Sequence, residues 1–337
     1  MDDREFWRNE RVAFLALTTL KGVGFWTLHK IAESKVGFKD ALKEPNRAGL
    51  EKHFPKDIKD EEFQEQIWSK GLELARELAS SGIQLFFNGE QGFPKKLKSI
   101  SEAPHWLFVQ GNSSNLNQPA IAVVGTRKPT EDGIFAARLI VAAASKYKCA
   151  TVSGLALGID QTCHNESIRY KLPTVAVLGT GILNNYPKGS EHLREQIIAQ
   201  GGTVISEYLP QQSYSAENFV RRNRLQAALC EILFPAEWKI KSGTAHTVRY
   251  ASRYGKTIVN TYLPLTQSER PELSFSKEEY GAISLEIPFD IPELISILTE
   301  KLTAPTQTTN CTTEQPEQPE QPEKDDGIDD DRQLPLI

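Results

Sequence analysis

Short apolar runs alternate with segments of helical periodicity between Pro119 and about Tyr262. The runs are AIAVVG, CATVSG, TVAVLG, GTVISE, EILFPA and KTIVNTYL. Apolar runs of this length, separated by helical segments, predict a mostly parallel sheet with helices on both faces and right-handed crossovers. We therefore predict an α/β fold.

The chain on either side of this region has a different pattern. The first seventy-odd residues have helical spacing around a KGVG turn, which predicts a helix-hairpin-helix that either holds a phosphate or only packs. The helix DEEFQEQIWSKGLELARELASSG should end at Gly82, and short strands should follow at 84–87 and 106–110. After Leu263 we expect one amphipathic helix, DIPELISILTEKL.

These patterns divide the chain into four predicted parts. They are a helical domain over residues 1–82, the α/β domain over 83–265, an extension with one helix over 266–303 and an acidic tail over 304–337. The tail is rich in Pro, Gln and acidic residues and almost free of apolar ones, which is typical of a disordered segment.

Charge is distributed unevenly between the tail and the rest of the chain. The whole chain carries −5, and the tail has nine acidic and two basic residues, hence −7, which leaves +2 for the first 303 residues. A nearly neutral body with basic clusters can bind a polyanion locally.

The composition also limits the setting and the cofactors. No apolar run approaches the roughly 20 residues that span a bilayer, and charged residues occupy the N-terminal stretch, so we expect a cytoplasmic protein without a membrane partner. The four cysteines and six histidines are scattered and form no ligand pattern, so we expect no metal.

Candidate ligand residues follow the strands, because open α/β sheets bind ligands beyond the carboxyl ends of their strands. Glycine turns leave amides open at helix N-termini, and Arg and Lys add positive charge, so both favour phosphate. The predicted residues are Gly125, Thr126, Arg127 and Lys128; Ser153, Gly154 and Gly158; Arg221, Arg222, Asn223 and Arg224; and Lys239, Lys241, Ser242, Gly243 and Thr244. Several such turns along one edge suit an extended polyanion.

Motifs for other chemistry are missing from the sequence. VVGTRKPTEDG is not the dinucleotide pattern G-x-G-x-x-G, and no Walker A, G-x-S-x-G or H-E-x-x-H pattern occurs. Asp160 and His164 lie four residues apart and could form an acid–base pair, whereas an Asp at a helix start is more often a cap. We expect no catalytic residue and no cofactor, and hence a protein that is not an enzyme.

Six segments carry a family resemblance: AVVGTRKPTEDG, TVSGLALGIDQTCH, TVAVLGTGILNNYP, GGTVISEY, NFVRRNRLQAAL and KSGTAHTVRYASRYGK. Their order and spacing resemble the DNA-processing protein A family, also called DprA or Smf, over roughly residues 10–262. The resemblance implies an extended Rossmann fold, a homodimer, single-stranded DNA binding without catalysis and loading of a RecA-type recombinase. It implies DNA contact through Arg127, the Ser153 turn, the RNR at 222–224 and the KSG at 241–243.

The chain departs from the family pattern at several positions. Leu157 stands where the family has arginine, Thr126 where it has serine, and Pro235-Ala236 where it has an acidic residue and alanine. Recombinase loading, natural transformation and foreign-DNA handling such as phage defence therefore stay open as roles. The alternative is a nucleotide-binding enzyme or sensor similar to the phosphoribohydrolases. Only the segment KSGTAHT would match the glycine-rich loop of that group.

The acidic tail ends in DDDRQLPLI. Its residues Gln333, Leu334, Leu336 and Ile337 resemble the bacterial sliding-clamp-binding peptide. Apolar residues at the end of an acidic segment have no domain of their own to bury them, so their presence would be explained by binding in a groove of a partner protein. A clamp-tethered adaptor is the third hypothesis.

Overall fold

A computed structural model of the protein describes residues 3–54 and 61–303. The helices within these residues are α1 (Asp3–Thr18), α2 (Phe25–Glu33), α3 (Phe38–Lys43), α4 (Glu61–Ser80), α5 (Lys95–Lys98), α6 (Glu131–Ala144), α7 (Ile159–Arg169), α8 (Glu191–Ala199), α9 (Ala216–Leu229), α10 (Gly243–Arg253), α11 (Pro271–Tyr280) and α12 (Ile291–Thr303). The strands are β1 (Ile83–Phe87), β2 (Trp106–Gly111), β3 (Ala120–Gly125), β4 (Ala150–Ser153), β5 (Thr174–Val177), β6 (Thr203–Ser206), β7 (Ile232–Glu237), β8 (Thr257–Tyr262) and β9 (Ile283–Glu286).

The strands form one sheet in the order β1-β2-β6-β5-β4-β3-β7-β8-β9. The seven strands β6-β5-β4-β3-β7-β8-β9 pair in parallel. At one end of the sheet, β2 pairs with β6 and β1 pairs with β2, both in antiparallel fashion. The predicted mostly parallel α/β sheet is confirmed. The strand order reverses between β3 and β7, and ligands of open α/β sheets bind at such a reversal.

Helices cover both faces of the sheet because its central strands are apolar on both sides. Along β3, Ile121 and Val123 pack with α6 and α7, whereas Ala122 and Val124 pack with α9 and α10. Alternate residues of a strand point to opposite faces, so an unbroken apolar run needs cover on both. Each large apolar side chain buried in this way contributes roughly 1.5–3 kcal/mol.

The N-terminal helices share an apolar core with the antiparallel end of the sheet. The Phe14 ring of α1 lies 5.6 Å from the Phe87 ring of β1 and 4.9 Å from the Trp106 ring of β2, measured between centroids. Trp106 Nε1 donates to the Glu207 carbonyl at 2.7 Å. The helical N-terminal region is confirmed, and its boundary as a separate domain stays a prediction.

The part of the chain after β8 holds more structure than we expected. Residues 266–303 contain α11, β9 and α12, whereas the apolar pattern predicted one helix. Strand β9 extends the sheet by pairing in parallel with β8, with Val259 opposite Ile283. The predicted helix DIPELISILTEKL is α12, and its Leu294 and Leu298 join the core on the β3 face that carries α6 and α7.

Two expectations concern the tail and the membrane. The acidic tail and its terminal Gln333, Leu334, Leu336 and Ile337 lie outside the described residues. None of the helices that the structure describes is long and apolar enough to cross a bilayer.

Candidate functional site

The turn after β3 carries two exposed cations at the point where the strand order reverses. Gly125 ends β3, and the Thr126 amide donates to the Glu237 carbonyl of β7 at 2.8 Å. Thr126 Oγ1 accepts from the Lys128 amide at 3.2 Å. The turn is thereby tied to β7, and the Arg127 and Lys128 side chains extend into solvent.

The start of α6, which follows this turn, is occupied by a carboxylate of the protein itself. Glu237 Oε2 accepts from the amide and the hydroxyl of Thr130, each at 2.9 Å. Thr130 caps the helix by accepting from the Gly133 amide at 3.2 Å. An acidic group is favourable at a helix N-terminus, so this position is filled without a ligand.

The start of α7 is joined to the same turn. Gly158 precedes α7 with φ of +82°, and a Cβ there would lie 2.5 Å from the Thr126 carbonyl oxygen. That carbonyl also accepts from the Ile159 amide at 3.2 Å. Beside it, Leu157 is exposed, so an apolar side chain stands at the edge where the family pattern has a cation.

The glycine turn after β4 is filled by the protein, although we predicted open amides there. The Asp160 carboxylate faces the amides of Gly154 and Ala156, and Arg222 Nη1 occupies the space that a Gly154 side chain would need. Burial raises the pKa of Asp160, and the positive charge of Arg222 opposes that rise. Ser153 is buried and donates to a β3 carbonyl at 2.7 Å. Ser153 and Gly154 are therefore covered by other parts of the protein, and they support the carboxyl ends of the strands from inside the fold.

The RNR segment of α9 is also buried. Arg224 Nη1 and Nη2 donate to the Glu207 carboxylate at 2.6 and 2.5 Å, and its Nε donates to the Glu102 carbonyl at 2.9 Å. Arg222 Nη1 donates to the Val177 carbonyl at 2.5 Å. Both guanidinium groups lack the exposure that direct contact with a phosphate requires. We correct their predicted role accordingly: they hold α9 and the neighbouring turns in place.

Arg221 connects the sheet edge to the N-terminal helices. Its guanidinium carbon lies 4.7 Å from the Trp26 ring centroid and 5.4 Å from that of Phe25, distances typical of cation–π contacts. Its Nη2 lies 3.1 Å from His29 Nε2, and its Nε lies 3.8 Å from Glu207. Trp26 remains exposed beside this arginine.

The turn after β7 leaves a helix start open to solvent. It contains the predicted residues Lys239, Lys241, Ser242, Gly243 and Thr244. Among the residues that the structure describes, none accepts a hydrogen bond from the amides of Gly243 and Thr244, and no atom outside the adjacent residues and the backbone of α10 lies within 4 Å of the position of a Gly243 Cβ. Asn223 fixes the turn by donating to the Gly243 carbonyl at 2.9 Å. The exposed Lys239 and Lys241 therefore stand beside free helix amides.

Aromatic rings lie beside the β3 turn. The Arg127 guanidinium carbon is 5.3 Å from the Phe219 ring centroid. The Tyr186 and Tyr214 centroids are 5.2 and 6.4 Å from that of Phe219, and Tyr214 is exposed. The predicted site residues include neither tyrosine, although each is an aromatic residue within the polar turn after β5 or β6.

The candidate acid–base pair is inaccessible. His164 is fully buried, and its Nδ1 lies 2.8 Å from Thr174 Oγ1. Burial lowers the pKa of His164 to about 3, so the ring is neutral at ordinary pH. Asp160 is buried against Gly154, as described above. Neither group is placed to exchange a proton with a substrate.

The fold and the edge together define the class of the protein: a Rossmann-like α/β protein with exposed cations at its strand-order reversal. The family model for DNA recombination-mediator protein A matches residues 84–277, more than half of the chain. The chain belongs to this family, also called DprA or Smf.

Two curated relatives illustrate the match. Protein Smf of Synechocystis sp. is 30% identical over 255 residues, which is 74% of this chain and 64% of the relative. DNA processing protein DprA of Streptococcus pneumoniae is 34% identical over 166 residues, which is 49% of this chain and 58% of the relative. The aligned part spans less than two thirds of the length of either relative.

Two solved structures are similar to this one. DprA from Streptococcus pneumoniae aligns with a TM-score of 0.62 at 24% identity, over 85% of this chain and 97% of that one, and shows the shared fold. DNA processing protein A from Helicobacter pylori, described for its single-stranded DNA binding mode, aligns with a TM-score of 0.56 at 26% identity, over 65% and 96% of the two chains.

Proposed function

We propose that this chain binds single-stranded DNA along the carboxyl edge of its sheet, without catalysis, and assists recombinase loading, DNA uptake or foreign-DNA handling. The observation that carries the proposal is the set of exposed cations on two turns that flank the strand-order reversal: Arg127, Lys128, Lys239 and Lys241. The Helicobacter pylori relative, named for its single-stranded DNA binding, supports it.

The proposed roles follow from exposure. Arg127, Lys128 and Lys241 neutralise successive phosphates, and the free amides at the start of α10 donate hydrogen bonds to a further phosphate. The exposed Tyr214 ring and the neighbouring Phe219 ring offer faces for base stacking. Stacking needs unpaired bases, so this surface should favour a single strand over a duplex.

The partners of this function are proposed from the sequence resemblance alone. They are a second copy of the chain in a homodimer, a RecA-type recombinase, and a sliding clamp that would take the terminal peptide. The absence of catalysis is likewise part of the proposal, and the burial of Asp160 and His164 supports it.

The test is fluorescence anisotropy of a labelled single strand and of its duplex, titrated with the full chain over a series of salt concentrations. Arg127→Ala and Lys241→Ala are compared with Lys148→Ala, which removes the same charge from an exposed side chain just before β4, at the opposite edge of the sheet. We expect each edge variant to weaken single-strand binding about tenfold or more, since a bond to a charged group contributes roughly 1.5–3 kcal/mol. The salt slope should fall by about 0.7 for each lost phosphate contact.

If the two edge variants and Lys148→Ala all bind the single strand as tightly as the wild type, the carboxyl edge is excluded as the DNA site. Binding of a free nucleotide, with no DNA binding at low salt, would instead support the phosphoribohydrolase-like alternative.

A further inference from the structure

Three side chains with metal-ligating atoms meet where α2 contacts the start of β2. His29 and Glu33 lie four residues apart on one face of α2, and His105 directly precedes β2. One ligand atom from each lies within 4.8 Å of the other two. His29 Nδ1 is 3.4 Å from Glu33 Oε1, and the two imidazole centroids are 4.6 Å apart.

These distances fit a small divalent ion. Tetrahedral zinc with ligands at about 2.0–2.1 Å keeps its ligand atoms roughly 3.3 Å apart. The His29 Nδ1 to Glu33 Oε1 distance of 3.4 Å already has this value. The three ligand atoms, which lie within 4.8 Å of one another, have to move closer, and the His105 side chain can do so by rotation.

The ligand chemistry agrees with the geometry. Two histidines and one glutamate are the three protein ligands of a recurrent zinc site, which keeps a fourth position for water. The Glu33 side chain is 57% exposed, which gives an ion access from solvent.

We propose that His29, Glu33 and His105 bind a divalent transition-metal ion of the zinc type. The sequence predicted no metal because His105 lies far from the other two ligands along the chain. Arg221 opposes the ion electrostatically, and Glu207, 3.8 Å from Arg221 Nε, offsets part of its charge.

Metal binding would also release Arg221 from His29. Arg221 Nη2 now donates to His29 Nε2 at 3.1 Å. An ion on Nδ1, the nitrogen beside Glu33, leaves the ring proton on Nε2, which then cannot accept this bond. The Arg221 side chain would turn away, and occupancy of the metal site would thereby alter the sheet edge. This consequence for the edge rests on the proposed DNA-binding function, whereas the metal site itself does not.

The test is titration of the full chain with Zn²⁺ against a chromogenic chelator, repeated with Co²⁺, whose visible absorption reports tetrahedral nitrogen and oxygen ligation. His105→Ala and Glu33→Gln are compared with His192→Ala, an exposed histidine of α8 outside the cluster. We expect one equivalent of metal in the wild type and in His192→Ala. The other two variants should lose at least about tenfold in affinity.

Thermal melting without metal shows whether each variant is folded. Glu33→Gln alters an exposed side chain, so the test stands even if His105→Ala does not fold. No competition by the wild-type chain for Zn²⁺, or unchanged affinity in Glu33→Gln and in folded His105→Ala, would overturn the site. All these measurements are made without DNA, so a failure of the metal site is distinct from a failure of DNA binding.

Discussion

Replacing Arg224 by methionine should destabilise the fold strongly, because this arginine neutralises a buried carboxylate. The exposed fractions of the Arg224 and Glu207 side chains are 0% and 3%. Two hydrogen bonds, at 2.6 and 2.5 Å, join them, and a third runs from Arg224 Nε to the Glu102 carbonyl at 2.9 Å. In Arg224→Met the Glu207 carboxylate stays buried, and its nearest remaining cation is Arg221, at 3.8 Å.

The expected loss follows from these contacts. Removal of one partner from a buried ion pair costs about 3–5 kcal/mol, and loss of the bond to the carbonyl of the exposed Glu102 costs roughly 0.5–1.5 kcal/mol. Attraction between Arg221 and Glu207 offsets part of this sum. We therefore expect the free energy of unfolding to fall by about 3–5 kcal/mol, a large share of the roughly 5–15 kcal/mol that stabilises a typical native protein.

Urea denaturation followed by tryptophan fluorescence measures this loss. Arg253→Ala is the control, because Arg253 pairs with Glu102 at 3.2 Å but the two side chains are 55% and 43% exposed, and such pairs contribute about 0–1 kcal/mol. The double variant Arg224→Met/Glu207→Leu should recover part of the loss, since no charge then stays buried.

The refuting result is specific. If Arg224→Met loses less than about 1 kcal/mol of stability, and the folded variant binds single-stranded DNA more weakly than the wild type, then Arg224 contacts the DNA and our structural assignment fails.

Two further predictions concern buried residues beneath the carboxyl ends of the strands. Gly154→Ala should cost about 1–3 kcal/mol, because its methyl group would overlap Arg222 Nη1, whereas Gly243→Ala, with no atom within 4 Å, should cost less than about 1 kcal/mol; equal losses in urea denaturation would contradict this. Burial lowers the pKa of His164 from 6.5 to about 3, so between these pH values the unfolded chain binds a proton that the folded chain does not, and stability declines as the pH falls. His164→Gln should lower the slope of stability between about pH 4 and 6 by about 1.4 kcal/mol per pH unit, and an unchanged slope would show that His164 does not titrate in this way.

The central sheet was predictable because its strands are apolar on both faces, and the six apolar runs correspond to β3 through β8. The elements we missed have weak patterns. Strand β9 has four residues, of which Leu285 alone is a buried apolar one, and α11 buries a single large apolar side chain, Leu273. Periodicity cannot identify an element with one apolar anchor.

The turns that carry the proposed site were predictable from the strand pattern, whereas the contacts of their individual residues were less so. Arg127 and Lys241 extend into solvent from turns after strands, as the positions of those turns predicted. Whether an arginine of α9 reaches solvent depends on which acidic residue folds against it. Asp160 and Glu207, the partners of Arg222 and Arg224, are distant enough in the chain that spacing does not reveal the pairing.

A chain that began at residue 83 would present Leu85, Trp106 and Phe108 to water, because the N-terminal helices cover the face of the sheet on which they lie. Exposure of each such side chain removes roughly 1.5–3 kcal/mol of stabilising free energy, so the truncated chain would be unstable and prone to aggregation. Evolution could exchange the first eighty residues only for a segment that brings an equivalent apolar cover. We therefore expect the helical segment and the sheet to depend on each other for their stability.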